Sequence, residues 1–291
     1  MALGLCLLLV LAGCLPRRTI VEFGWDEPDT RFLREHIREL QRTPFDGCVF
    51  HALFRDAHGQ QGNFTWQAWG RRAFTPDDLR DARADVRALR HSRFRQSFLR
   101  LNTTPGDLDW FDDEFSAVLG NARLAAQLVA VGRLRGVVLD TEQYQAPLWS
   151  YPKQRDAGRR SWGEYAAQAF RRGQELMQAL QQGDPRITLL LTFGQSLPLR
   201  QMEVYRQPIE AVDYGLLLPF VDGLVAGARD GRIIDGYEMS YAYRDPERFA
   251  QARTLMKLTV PARAADPPRH RRVVAAGFGL WLDIDWRWHG W

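Results

Sequence analysis

The chain of 291 residues suits one large domain, and 45% hydrophobic residues suffice for a sizeable core. The net charge is only +4, and acidic residues interleave the basic ones, as in Arg80-Asp81-Ala82-Arg83-Ala84-Asp85. That alternation describes solvated helix faces instead of a phosphate-tracking stripe, so no nucleic-acid partner is expected.

Residues 1–13 are apolar and lead into Leu11-Ala12-Gly13-Cys14. So short a run cannot span a bilayer core of roughly 30 Å, which favours a cleaved signal over a transmembrane helix. The segment resembles a bacterial lipoprotein signal, in which cleavage precedes a cysteine that takes lipid. The resemblance implies a signal peptide over residues 1–13, lipidation at Cys14, and a single mature domain over 14–291. It also implies an exported protein, periplasmic or at the cell surface, held to the membrane by its N-terminal lipid. Cys6 would leave with the signal, so Cys48 would be the one free thiol of the mature chain. It stands in an apolar run and is expected to be a buried structural residue.

Beyond the signal, short β-type runs alternate with longer amphipathic stretches. Strands are expected at 19–24, 47–51, 97–101, 136–140, 187–193, 236–241 and 273–280. Helices are expected at 31–41, 76–91, 111–131, 161–182 and 246–257. The second of these has Thr75 as N-cap and Pro76 in its first position. Residues 262–272 read as a Pro- and Arg-rich loop. The strands are nearly continuous apolar runs, with Gly136-Val137-Val138-Leu139 the clearest, as in parallel strands buried on both faces. No Gly-x-Gly-x-x-Gly follows the first strand, which argues against a nucleotide-binding sheet. The fold expected is α/β, a (β/α)8 barrel of the TIM type. Seven strands and a tryptophan-rich stop at 281–291 lead to the expectation that it is truncated, with the eighth βα unit missing.

In such a barrel the chemistry lies at the C-terminal ends of the strands. Those ends carry Glu22 and Trp25, His51, Asn102, Asp140 and Glu142, then Glu238, Tyr241 and Tyr243. Asp140 and Glu142 are two residues apart and share a face at the end of the fourth strand. A neighbouring carboxylate disfavours ionising both, which raises one pKa toward that of a general acid. Glu238, and also Glu22, are further carboxylates that could pair with Glu142. Tyr144, Tyr243, Trp25 and Trp281 offer aromatic planes to sugar rings, and Glu22, His51 and Asn102 offer polar contacts. His51 with Asp26, Asp140 or Glu142 could hold a divalent cation. No His-x-His or His-x-x-x-His pair supports that, and neither metal nor cofactor is expected.

The Asp140-Thr141-Glu142 segment resembles the Asp-x-Glu of the chitinase-type glycoside hydrolases, family 18 and its relatives. The Met239-Ser240-Tyr241 segment resembles the Met-x-Tyr that recurs there. By that resemblance Glu142 protonates the glycosidic oxygen, Asp140 orients an N-acetyl group, and Tyr241 binds the same group. The chain departs from the family in carrying Gly136-Val137-Val138-Leu139 in place of a fuller acidic run. Most of the chain also resembles uncharacterised bacterial barrel lipoproteins that begin Glu22-Phe23-Gly24-Trp25-Asp26-Glu27-Pro28. The function expected is a glycoside hydrolase acting on an extracellular glycan, with Glu142 as general acid. The alternatives are a non-catalytic carbohydrate-binding lipoprotein and an inactive fragment.

Overall fold

The computed structural model describes residues 18–24 and 26–280. The signal segment with Cys14, as well as Trp25 and Trp281, lies outside the described residues. The first half of the chain runs β1 (Val21–Glu22), α1 (Thr30–Leu40), β2 (Gly47–Phe50), β3 (Leu53–Arg55), β4 (Gln61–Asn63), α2 (Arg80–Ala88) and β5 (Phe98–Asn102). Next come α3 (Phe115–Gly132), β6 (Gly136–Asp140), α4 (Trp162–Gly183), β7 (Thr188–Leu191), α5 (Ser196–Tyr205) and α6 (Leu217–Gly227). The chain then passes through β8 (Arg232–Asp235), α7 (Pro246–Thr254), α8 (Val260–Arg263), α9 (Pro267–Val273) and β9 (Val274–Ala276).

Seven strands form one parallel sheet in the order β1-β2-β5-β6-β7-β8-β9, so sequence neighbours pair except where the hairpin β3–β4 intervenes. Helical crossovers between parallel neighbours give this order its α/β character. Alternate residues separate the two faces of the sheet. Phe50, Leu99, Leu101, Val137, Leu139, Leu189 and Leu191 join the main core with the helices. Val49, Phe98 and Val138 form a second cluster with Val21, Phe23 and Leu190. Five strands therefore converge on one inner face, which requires the sheet to curl. Among the described residues no strand pairs with the outer edge of β1 or β9.

Local chemistry explains most boundaries. Ser161 and Glu164 form a reciprocal capping box that starts α4, and the Asp29 side chain accepts from the Phe32 amide at the start of α1. Helices α4 and α6 pack backbone to backbone. A Cβ on Gly173 would strike the Phe220 carbonyl, and one on Gly223 would strike the Phe170 carbonyl. Cys48 is buried at 1% exposure, and burial pushes its thiol up to about 12.

Several expectations are corrected. The strand expected at 236–241 is instead β8 at Arg232–Asp235, and Glu238–Ser240 form a 3-10 turn beyond it. Tyr237 has φ 47°, a left-handed conformation that no strand can continue through. The run expected at 273–280 narrows to Val274–Ala276. The loop expected at 262–272 carries α9, opened by Asp266 as N-cap with Pro267 in the first turn. The helix expected from Pro76 begins at Arg80, after a turn in which Thr75 and Asp78 exchange hydrogen bonds.

Candidate active site

The inner face ends in polar residues. Phe98, Arg100 and Asn102 alternate with Leu99 and Leu101 along β5, so the arginine and asparagine follow Phe98 onto the inner side. Asp140 follows Val138 on β6, and Thr192 follows Leu190 past the end of β7. Register places Asn102 directly beside Asp140.

Arg100 lies at the centre, with its side chain 9% exposed. One terminal nitrogen donates to Glu27 Oε1 at 2.5 Å, and the other donates to Asp140. The guanidinium also faces the rings of Phe23 and Trp66, at 5.3 and 5.4 Å from their centroids. Burial works against its charge, but Asp140 and Glu27 outweigh it and raise its pKa above the ordinary arginine value. The hairpin β3–β4 leads directly into Trp66, which stands 5.4 Å from the Tyr144 ring.

Asp140 is 1% exposed and both its oxygens are engaged. Oδ2 accepts from Arg100, from Asn102 Nδ2 at 3.3 Å and from the Tyr144 hydroxyl at 3.1 Å. Oδ1 accepts from the Thr192 hydroxyl at 3.2 Å and from the Glu142 amide at 3.1 Å. So fully bonded a carboxylate holds the ends of β5, β6 and β7 in register. It also acts electrostatically on Glu142 and Glu238.

Glu142 and Glu238 are less constrained. Burial raises the Glu142 carboxyl above its ordinary range, with the Asp140 charge adding to the rise and Tyr144 and Arg100 opposing it. Glu238 rises further, to about 8, chiefly through burial and then through the charges of Glu142 and Asp140. Tyr241 donates to Glu238 Oε1 at 2.5 Å, which pulls the other way. Each glutamate's charge therefore acts on the same local environment that contains Asp140. Burial and neighbouring carboxylates raise the phenols of Tyr144 and Tyr241, which remain donors at any ordinary pH.

The remaining sequence-predicted residues divide. His51 and Glu22 line a cavity of about 500 Å³ beside α1, together with Asp26, Glu27 and Cys48. Glu22 acts electrostatically on Cys48, on the cavity side of the sheet end. Tyr243 bonds the Tyr237 hydroxyl at 3.3 Å and packs edge-on to Phe249. Asn102 is fully buried at Asp140. Glu27 and Arg100 were missed by sequence reasoning. The usable signal was an arginine inside the apolar run Phe98-Leu99-Arg100-Leu101, because a buried guanidinium demands carboxylate partners. Among the described residues no group of three or more His, Cys, Asp or Glu side chains could hold a metal ion.

No protein-family model matches the chain, and no curated protein matches it either. What defines the class is the fold and the site: an α/β protein with a curled parallel sheet and a cluster of buried carboxyls at its strand C-termini.

Proposed function

We propose that this chain is an exported lipoprotein, anchored to the membrane through Cys14, whose TIM-type barrel hydrolyses an extracellular glycan. One observation carries the reading. Glu142 and Glu238 both have raised proton affinity, and each lies within electrostatic reach of Asp140. Glycoside hydrolysis needs two such carboxyls, one protonated and one ionised, beside an acetal carbon.

Proton affinity divides the roles. Glu238, held to about 8, keeps its proton at neutral pH, and Glu142 ionises first. Glu238 then donates its proton to the glycosidic oxygen as the C–O bond breaks. The Glu142 carboxylate stabilises the positive charge developing at the anomeric carbon until a water molecule bonds to that carbon and its released proton restores the Glu238 carboxyl. This exchanges the acid role expected of Glu142 from the sequence. Tyr241 positions Glu238, and Trp66 with Tyr144 offers aromatic surface for the sugar.

The test compares Glu238→Gln and Glu142→Gln on a panel of neutral and charged glycans and on aryl glycosides with activated leaving groups. Loss of general acid catalysis lowers turnover about 10²–10⁴-fold on unactivated glycans. Glu238→Gln should show that loss and be nearly silent on activated substrates, whereas Glu142→Gln should impair both. The reverse pattern returns the acid role to Glu142. Binding without hydrolysis by the wild type replaces the enzyme with a carbohydrate-binding lipoprotein.

A further inference from the structure

Two hydrogen bonds to one carboxylate enclose Glu142. Its own amide donates to Asp140 Oδ1 at 3.1 Å, and the Tyr144 hydroxyl donates to Asp140 Oδ2 at 3.1 Å. The segment after β6 therefore turns back on Asp140 with Glu142 between the two bonds. The Tyr144 hydroxyl has a second acceptor there, because it also hydrogen-bonds the Glu142 carboxyl. Arg100 donates to the phenol oxygen at 3.3 Å and holds it in place. A phenol carries one hydrogen, so it serves one carboxylate at a time. Turning it takes only rotation about the C–O bond, and the ring stays packed on Trp66.

The two acceptors differ in need. Asp140 also accepts from Arg100, Asn102, Thr192 and the Glu142 amide. For the Glu142 carboxyl, Tyr144 is the one hydrogen-bond donor among the described residues. Burial and Asp140 on β6 favour its protonated form, whereas Tyr144 and Arg100 on β5 favour its charge. Glu238 and Tyr241 beyond β8 and Tyr214 ahead of α6 also lie within its electrostatic reach. Arg100 is committed to Glu27 and Asp140, which leaves the Tyr144 hydroxyl as the adjustable partner.

We propose that Tyr144 is a positioning residue whose hydroxyl turns from Asp140 to Glu142 as Glu142 ionises, and so sets the pH at which that carboxylate forms. As a statement about catalysis this rests on the hydrolase reading above, in which Glu142 is ionised while Glu238 holds its proton. The Tyr144 bond widens the pH interval over which the two glutamates differ in charge.

NMR titration of the glutamate carboxyl carbons in the full chain tests the idea, in a Glu238→Gln background that uncouples the two acids. The Glu142 resonance is the one missing from Glu142→Gln. Tyr144→Phe keeps the ring on Trp66 and removes the donor, so the Glu142 pKa should rise by about one unit. A ring-fluorinated tyrosine in place of Tyr144 is a more acidic phenol and a stronger donor, so it should lower that pKa. It also carries the test if the phenylalanine variant fails to fold. Asn102→Leu takes a different donor from Asp140 and should move Glu142 less than half as far. The inference is overturned if Glu142 titrates in Tyr144→Phe as in its parent, or if fluorination does not lower its pKa. An equal shift in Asn102→Leu would also overturn it, because the influence would then pass through Asp140. With Glu238 intact, Tyr144→Phe should move the acidic limb of the kcat/KM profile to higher pH. The expected NMR shifts without hydrolysis of any glycan would sink the hydrolase reading and leave the Tyr144 pairing standing. Hydrolysis by the wild type with an unmoved Glu142 in Tyr144→Phe would do the opposite.

Discussion

Replacing Arg100 by methionine exposes how the site is held together. The guanidinium lies between two carboxylates whose side chains are 6% and 1% exposed. Removing one partner of a buried ion pair costs about 3–5 kcal/mol, because an uncompensated charge stays behind. The two acids should not suffer equally. Asp140 retains Asn102, Tyr144, Thr192 and the Glu142 amide as donors. Glu27 loses the donor on Oε1 and already lacks one on Oε2. The penalty therefore falls on Glu27, which escapes it by taking up a proton.

Burial already raises Glu27, and Arg100 is the main influence pulling it back. In Arg100→Met its folded pKa should climb further above its unfolded value. Between those two values the folded state binds the extra proton, so stability falls as pH rises. Relative to wild type, the variant should be about 3–5 kcal/mol less stable at pH 7, and it should recover by about 1.4 kcal/mol per unit as pH falls toward 5. Adding Glu27→Gln should restore much of the loss at pH 7. Urea unfolding at pH 5, 6 and 7 measures the wild type and both variants. A loss under about 1 kcal/mol, or one that is the same at pH 5 and pH 7, would refute a buried, charge-compensated Arg100.

Glu238 gives a second pH signature. Its carboxyl is held to about 8 against an ordinary 4.5, so between those values the folded state keeps a proton that the unfolded chain releases. Wild-type stability should therefore fall by about 1.4 kcal/mol per unit across that window from this group, and Glu238→Gln should lack the slope. Equal differences between the two proteins at pH 5 and pH 8 would mean that Glu238 titrates normally. Anchoring is tested by Cys14→Ser, which should move the protein from the membrane fraction to the soluble one. A soluble wild type would remove the lipid anchor from the proposal.

What the sequence disclosed follows from its physics. Strand β6 was found at its observed bounds because Gly136–Asp140 is buried at every position and reads as an unbroken apolar run. Strand β8 was displaced. Its two isoleucines sit between charged residues, whereas Tyr237-Glu238-Met239-Ser240-Tyr241 has the richer β-type composition. Only the backbone at Tyr237 decides the matter. Helix α6 escaped notice because it is apolar nearly all round, with Pro219 and two glycines, and therefore lacks the amphipathic period that marks a surface helix. Its glycines serve the close approach to α4, which is a tertiary property. The pairing of Arg100 with Glu27 spans 73 positions, so no local pattern could contain it.

The buried acids of this protein divide by how their oxygens are served, and that division separates frame from chemistry. Asp235 is raised by burial, yet Ser196 donates to one oxygen and the Tyr237 amide to the other. Asp109 likewise receives the Tyr165 hydroxyl on one oxygen and the Phe111 amide on the other. Asp140 belongs with them, with donors on both oxygens from three successive strand ends. Such carboxylates fix loops to strands and have little capacity left for a ligand. Glu27 differs in kind, because its second oxygen lacks a donor in a place that excludes water. The Arg100 bond holds the other oxygen in place, and burial raises the proton affinity of the carboxyl. The Asp140 charge extends the same logic to Glu142 and Glu238, raising both without leaving its own bonds. A frame that resists change thus holds the acids that must gain or lose a partner, and the two sets meet at Arg100.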